Sequence, residues 1–202
     1  MTAHDDVQGN ARDDIRTQIL DAAEKLFYER GIQAVGMDGL RAAADVSLKR
    51  LYATFPAKHD LVEAYLRRRD ARWRSDLAAY VGGRTGPDAT PPARILAVFD
   101  WLAAWFDAPD FRGCAFINAY GELGTTSDRV ARVTRDHKRA LHAYLADLAR
   151  PLGHPDLTAL AAQLALLVDG AITGAAISGD PAPARTARAT AAALLGTPAD
   201  DA

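Results

Sequence analysis

Apolar residues recur along this chain at intervals of three and four, the spacing of one face of an α-helix. The first such stripe is Ile15, Ile19, Ala22, Ala23, Leu26 and Phe27. Asp13 and Asp14 precede it, where acidic groups suit a helix N-terminus, and Gly31 follows, where glycine suits a C-terminal cap. A shorter face, Leu40, Ala43 and Ala44, predicts a second helix. Residues 48–55 predict a third, which must stop at Pro56 because proline is excluded from a helix interior. A fourth is predicted over 57–80, with Leu61, Val62, Tyr65, Leu66, Trp73 and Leu77 on its inner side.

Residues 82–92 (GGRTGPDATPP) form a loop by composition. Pro91 and Pro92 suit the first turn of a fifth helix carrying Ile95, Leu96, Phe99, Leu102, Trp105 and Phe106. After a break at 107–112, further helices are predicted over 113–123, 127–152, 156–178 and 181–195. No strand pattern and no repeat appears. The predicted fold is all-α with about nine helices. A three-helix domain over 13–57 precedes a larger helical domain over 58–196, with a disordered tail expected at 1–12 and a short tail at 197–202.

Composition sharpens this picture. Hydrophobic residues make up 49% of the 202-residue chain and aromatic ones only 7%. An alanine- and leucine-rich, aromatic-poor chain favours helix. The single cysteine, Cys114, excludes an intrachain disulfide. The five histidines show no ligand-like pairing, so no metal and no cofactor is expected. The polar, acidic start (His4, Asp5, Asp6) is unlike a signal peptide, and a cytoplasmic location is the expectation.

The segment 157–178 is apolar nearly all round, which a membrane span or a helix buried on more than one side would explain. Gln163 and Asp169 within it, and the lack of aromatic and basic flanks, favour burial and no membrane. Gly170 and Gly174 give it a small-x-x-x-small pattern that lets helix backbones approach closely.

Net charge is only -2, but it is unevenly spread. Residues 46–74 carry Lys49, Arg50, Lys58, Arg67, Arg68, Arg69, Arg72 and Arg74 against Asp60, Glu63 and Asp70. Such a surplus is either a phosphate-binding patch or a solvated helix face.

The stretch 35–61 (VGMDGLRAAADVSLKRLYATFPAKHDL) places two short helices either side of a tight turn, a helix-turn-helix over about 36–55. That motif lays its second helix in the DNA major groove. Leu51 and Phe55, four residues apart, should face the core. Leu48, Lys49, Arg50, Tyr52, Ala53 and Thr54 then turn partly outward. Lys49 and Arg50 suit phosphates or guanine edges, and Tyr52 and Thr54 suit phosphate oxygens. Lys58 opens the next helix, where free N–H groups also favour phosphate.

Taken together, Ala44, Val46, Ser47, Leu51, Tyr52, Phe55, Lys58 and Leu61, with Ala22, Ala23, Leu26, Phe27 and Gly31 upstream, resemble the TetR family of bacterial regulators. Asp45 stands where that family has glycine, and Gly36 where it has a hydroxyl residue. Lys49 and Arg50 add charge beyond the family's pattern. The resemblance implies DNA contacts from Gly36, Ser47, Leu48, Lys49, Arg50, Tyr52, Ala53, Thr54 and Lys58. It extends more loosely to 112–122 (RGCAFINAYGE) and 179–195. It implies a homodimer through the last two long helices, with Leu167, Gly170, Ala171, Gly174 and Leu194 at the interface, and a double-stranded, near-palindromic DNA operator. It also implies repression relieved by a small apolar or aromatic effector, in a pocket of Trp73, Trp101, Trp105, Phe106, Phe116, Asn118 and Tyr120.

Asn118 and Glu122 are either polar handles for that ligand or surface and capping groups. No catalytic residue is expected. The alternatives are a helical enzyme or redox sensor using Cys114, or His137 with Asp136 or Asp169, and a protein-interaction module with a degenerate DNA-binding domain.

Overall fold

The computed structural model describes residues 3–197, with side chains from residue 13 onward. Among the described residues there are nine α-helices, one 3₁₀ turn and no strand. They are α1 (Ala3–Arg30), α2 (Met37–Ala43), α3 (Leu48–Thr54), α4 (Lys58–Thr85), α5 (Pro91–Phe106), α6 (Ala115–Leu123), α7 (Asp128–Ala149), α8 (Leu157–Ser178) and α9 (Ala182–Leu194). The sequence places a tail over 1–12, yet α1 already begins at Ala3, so Asp13 and Asp14 sit inside it rather than at its start. The end of the expected C-terminal tail lies outside the described residues.

Helix α4 likewise outruns its expected end by about a turn, into the glycines taken for a loop. Buried Val81 holds that last turn, Thr85 donates to the Val81 carbonyl at 2.7 Å, and Gly86 closes it at a positive φ of 69°.

The chain forms two compact units, divided differently from the sequence boundary at 57/58. One comprises residues 1–70 with 115–134, the other 71–114 with 135–202. In the first, Leu26, Phe27, Ile32, Leu40, Leu51, Phe55, Leu61 and Tyr65 make the core. Phe27 meets Tyr65 edge to face at 5.5 Å. In the second, α5, α8 and α9 pack together around Val98, Leu102, Leu164, Val168 and Ala191. Asp100 and Arg188 clip α5 to α9 at 2.8 Å, and Lys138 and Asp169 clip α7 to α8 at 2.5 Å.

Helix α8 is long and apolar enough to cross a membrane by composition. Its packing against α5 and α9 buries one side and not several, and Asp169 is ion-paired with Lys138.

The α2–α3 turn is built by Asp45 in the left-handed region, φ 48°. Val46 N–H donates to the Arg41 carbonyl at 3.2 Å and Asp45 N–H to the Ala42 carbonyl at 3.3 Å, the paired bonds of a Schellman closure. Buried Val46 supplies its apolar contact. Asp45→Val, β-branched at positive φ, should lower unfolding stability by about 1–2 kcal/mol. Asp45→Gly should equal or slightly exceed the parent, as urea denaturation followed by circular dichroism would read.

Candidate functional site

A seven-residue helix has too few hydrogen bonds to persist alone, so α3 depends on what anchors it. Ser47 caps its N-terminus, accepting from Arg50 N–H at 3.3 Å. Leu51 is wholly buried and Phe55 nearly so. With that side inward, Leu48 and Tyr52 are each 44% exposed, and Lys49, Arg50 and Ala53 are exposed beside them. The face carries two cations and a phenol, and no carboxylate from α3 itself. Ser47 keeps its hydroxyl proton for an outside acceptor. Thr54 does not: its hydroxyl donates to the Arg50 carbonyl at 2.9 Å, which limits it to accepting.

Gly36 caps α2 from extended backbone with no side-chain bond. A Cβ there would meet open space, so the missing hydroxyl reflects sequence rather than a steric demand. One neighbour of α3 went unnoticed in the sequence. The Arg16 guanidinium of α1 lies 4.7 Å over the Phe55 ring, an exposed cation beside the helix end.

Lys58 is placed elsewhere. Its ammonium lies 6.0 Å from the Phe27 ring centroid and its side chain lines a cavity with Ile32, Gln33 and Leu123. Burial pushes its pKa below the ordinary lysine value, and the Glu122 charge pulls it partly back. The stem covers apolar surface, so the Lys58 side chain is half-buried where those of Lys49 and Arg50 on α3 are exposed.

The basic surplus on α4 also resolves into structure. Arg68 pairs with Asp21 at 2.9 Å and Glu24 at 2.8 Å, Arg69 pairs with Glu24 at 3.3 Å and stacks 3.9 Å over Tyr28, and Arg67 pairs with Glu63 at 2.8 Å. Those arginines join α4 to α1 or to its own turn rather than forming a phosphate patch with α3.

Glu122 is the decisive polar residue of α6. Its carboxylate accepts from Ile32 N–H at 2.9 Å and Gln33 N–H at 2.7 Å, and its carbonyl accepts from the Gln33 amide at 2.6 Å. It is therefore a cap on the chain leaving α1, not a ligand handle. Gly31, at φ 84°, permits the approach, because a Cβ there would meet a Glu122 oxygen at 3.2 Å. Arg129 reinforces the same unit by bonding Asp60 at 2.8 Å and Glu63 at 3.3 Å.

The effector residues named from the sequence fall in both compact units. Trp73, Trp101, Trp105 and Phe106 share the second unit. There Trp101 stacks on Trp105 at 5.5 Å, and Trp73 meets both edge-on. Phe116, Asn118 and Tyr120 belong to the first unit, with Phe116 buried and the other two exposed. A cavity of about 330 Å³ lies beside Trp73, lined by Leu77, Leu141 and Tyr144. Burial raises the Tyr144 pKa, while Arg94 opposes.

Of the proposed interface, Gly170 is exposed, Leu194 is exposed, and Leu167 is half-buried. Ala171 is buried within its own chain, and Gly174 admits Pro183 of α9 at 3.4 Å from an added Cβ. Leu166 (73% exposed) and Ile177 (83%) are the large apolar groups on this face.

The alternative chemistry loses its parts. His137 is buried edge-on to Trp73 at 5.2 Å, Asp169 pairs with Lys138, and Asp136 pairs with Arg139. Cys114 is buried with the Lys138 ammonium 3.8 Å away. Among the described residues no cluster of metal-ligating side chains occurs.

Comparison with known proteins bears on the whole arrangement. The model of the bacterial regulatory proteins, tetR family, matches residues 19–65. An uncharacterized HTH-type transcriptional regulator of Mycobacterium tuberculosis is 30% identical over 137 residues, 57% of this chain and 68% of the relative. The HTH-type transcriptional activator FasR of Mycolicibacterium smegmatis is 44% identical over 91 residues, 45% and 42% of the two chains. The HTH-type transcriptional repressor KstR of Rhodococcus jostii is 40% identical over 98 residues, 48% and 43%. The crystal structure of a TetR-family transcriptional regulator from Streptomyces coelicolor superposes with a TM-score of 0.83 at 29% identity, covering 97% of this chain and 95% of that one.

Removing the Glu122 carboxylate strands the Ile32 N–H in a part-buried setting and leaves the exposed Gln33 N–H to water. Glu122→Ala should cost about 1–3 kcal/mol of stability. Amide hydrogen exchange at Ile32 and Gln33 should accelerate ahead of the α1 core, and unchanged protection there would remove the capping role.

Proposed function

The chain belongs to the TetR family of bacterial transcriptional regulators, with a DNA-binding helix-turn-helix, and on that premise we propose that it is a homodimeric repressor released from its operator by a small, largely apolar effector. The observation that carries the DNA half is the division of α3. Leu51 and Phe55 are sealed inside while Leu48, Lys49, Arg50, Tyr52 and Ala53 stand exposed. Lys49 and Arg50 offer phosphate or guanine-edge contacts, and Tyr52 and Ser47 offer hydroxyl donors. Two such helices related by a twofold axis call for a near-palindromic site with half-sites about one helical turn or more apart.

The dimer reading is supported by α8 and α9. Leu166 and Ile177 project from α8, and a trough of about 500 Å³ runs past Gly170, Thr186 and Thr190. A second copy laid there would cover side chains that otherwise face water. For the effector, the cavity beside Trp73 has aromatic and aliphatic walls and a phenol for orientation. A ligand that favours one position of α4 would shift the dimer away from its DNA-bound state, provided it binds the two states unequally.

A gel-shift or anisotropy titration against fragments of the native genome tests the central claim. Sequence-preferring, salt-sensitive binding is expected, and its absence would sink the proposal. Lys49→Ala should weaken binding and reduce the slope of log affinity against log salt by about one. Gly36→Ser should tighten binding by restoring a hydroxyl at the α2 cap. Leu166→Glu with Ile177→Glu should yield a monomer by sedimentation, and a reporter gene should rise, not fall, when the protein is removed.

A further inference from the structure

The first unit holds a cavity of about 530 Å³ that the exposed side of α3 does not line and that shares no lining residue with the Trp73 cavity. Ile32, Val62, Leu123 and Val130 give it apolar walls, and Lys58 and Arg129 bring cations to it. The charges around it are almost all committed. Arg129 is bonded to Asp60 and Glu63, and His59 lies 3.3 Å from Asp60. Both Glu122 oxygens are held by the Ile32 and Gln33 N–H groups. Asp128, also on the lining, is exposed to solvent. The Lys58 side chain is half-buried and makes no hydrogen bond or ion pair among the described residues, although the Glu122 charge acts on it.

A partly desolvated cation beside apolar walls recognises a ligand that is charged at one end only. The geometry points to this cavity as a second small-molecule site, for an amphipathic monocarboxylate whose head meets the Lys58 ammonium and whose alkyl or aryl body packs on Ile32, Val62, Leu123 and Val130. Inorganic phosphate would match the charge but leave the walls unfilled, and an alkylamine would set like charges together. The walls include Ile32, one of the two residues capped by Glu122, so occupancy stiffens the segment leading from α1 to α2. The site thereby bears on the helix-turn-helix without passing through the effector cavity of the proposed function. Burial already depresses the Lys58 pKa, and a carboxylate at bonding distance raises it again, so binding weakens as alkaline pH removes the proton.

Isothermal titration of the full-length protein with acetate, hexanoate, octanoate and decanoate, and with octanol and octylamine, tests this. Affinity should rise about threefold to fourfold per methylene until the cavity is full. Lys58→Met should weaken octanoate at least tenfold and leave octanol nearly unchanged, Lys58→Arg should retain octanoate, and Leu123→Trp should block both ligands. Thermal melts confirm that each variant folds, and Leu123→Trp with Lys58→Arg decides the matter if Lys58→Met does not. Octanoate binding indifferent to Lys58→Met and to Leu123→Trp, octylamine binding as tightly as octanoate, or no binding at millimolar carboxylate would each overturn the site. DNA affinity is measured separately in ligand-free buffer, so its loss would count against the regulator reading and not against this one.

Discussion

The burial of Leu51 and Phe55 is the constraint on which the functional surface rests. Two side chains four apart fix the rotation of α3 about its axis, and a helix of seven residues has no other means of fixing it. Once that rotation is set, the exposed set is set as well. Lys49, Arg50 and Tyr52 cannot be outward unless Leu51 is inward. The Asp45 closure and the Ser47 cap then decide where α3 starts, so the outward residues are placed along the axis as well as around it. A side chain meant for a DNA groove must be held from behind by packing that the groove never sees.

That packing reaches well beyond the helix-turn-helix. Glu122 lies 90 residues from Ile32 in the chain, yet it supplies the acceptors for two donors just after α1. Arg129 does the equivalent for Asp60 and Glu63 on α4. The compact unit that carries α3 therefore includes α6 and the start of α7. A group that altered α6 would act on the segment before α2 directly, through two main-chain hydrogen bonds.

Local pattern made the helices legible, because each apolar stripe repeats within a few residues and every break but the one between α2 and α3 is marked by glycine or proline. The left-handed turn at Asp45 was legible by another route: the resembling family has glycine there, and aspartate tolerates the conformation. What escaped was every feature whose partner is distant. The arginines at 67, 68 and 69 form a basic run in sequence, but two of them belong to Asp21, Glu24 and Tyr28 on another helix. Lys58 has a position in the motif that suits phosphate, and only its contacts with Phe27 and the cavity show where the charge goes. Trp73, Trp101, Trp105 and Phe106 belong to one compact unit and Phe116 and Tyr120 to the other, an allocation that composition does not carry.

Helix α8 shows why an apolar segment needs packing partners before it can be interpreted. Its inner residues, Leu160, Leu164, Val168 and Ile172, are buried against their own chain, and Pro183 of α9 lies beside Gly174. Those facts account for one side of the helix. Leu166 and Ile177 lie on the other, eleven residues apart and so nearly in line along a helix of 3.6 residues per turn. Gly170 lies between them and is exposed, where a side chain would have met nothing of its own subunit. A line of leucine, glycine and isoleucine facing outward suits a partner that presses close at the glycine and fills in around the two larger groups. A lipid bilayer would not distinguish that face from the inner one, and it would have to accommodate Asp169 with its lysine. A second protein helix distinguishes the faces, which is the physical ground for preferring a protein partner over a membrane for this segment.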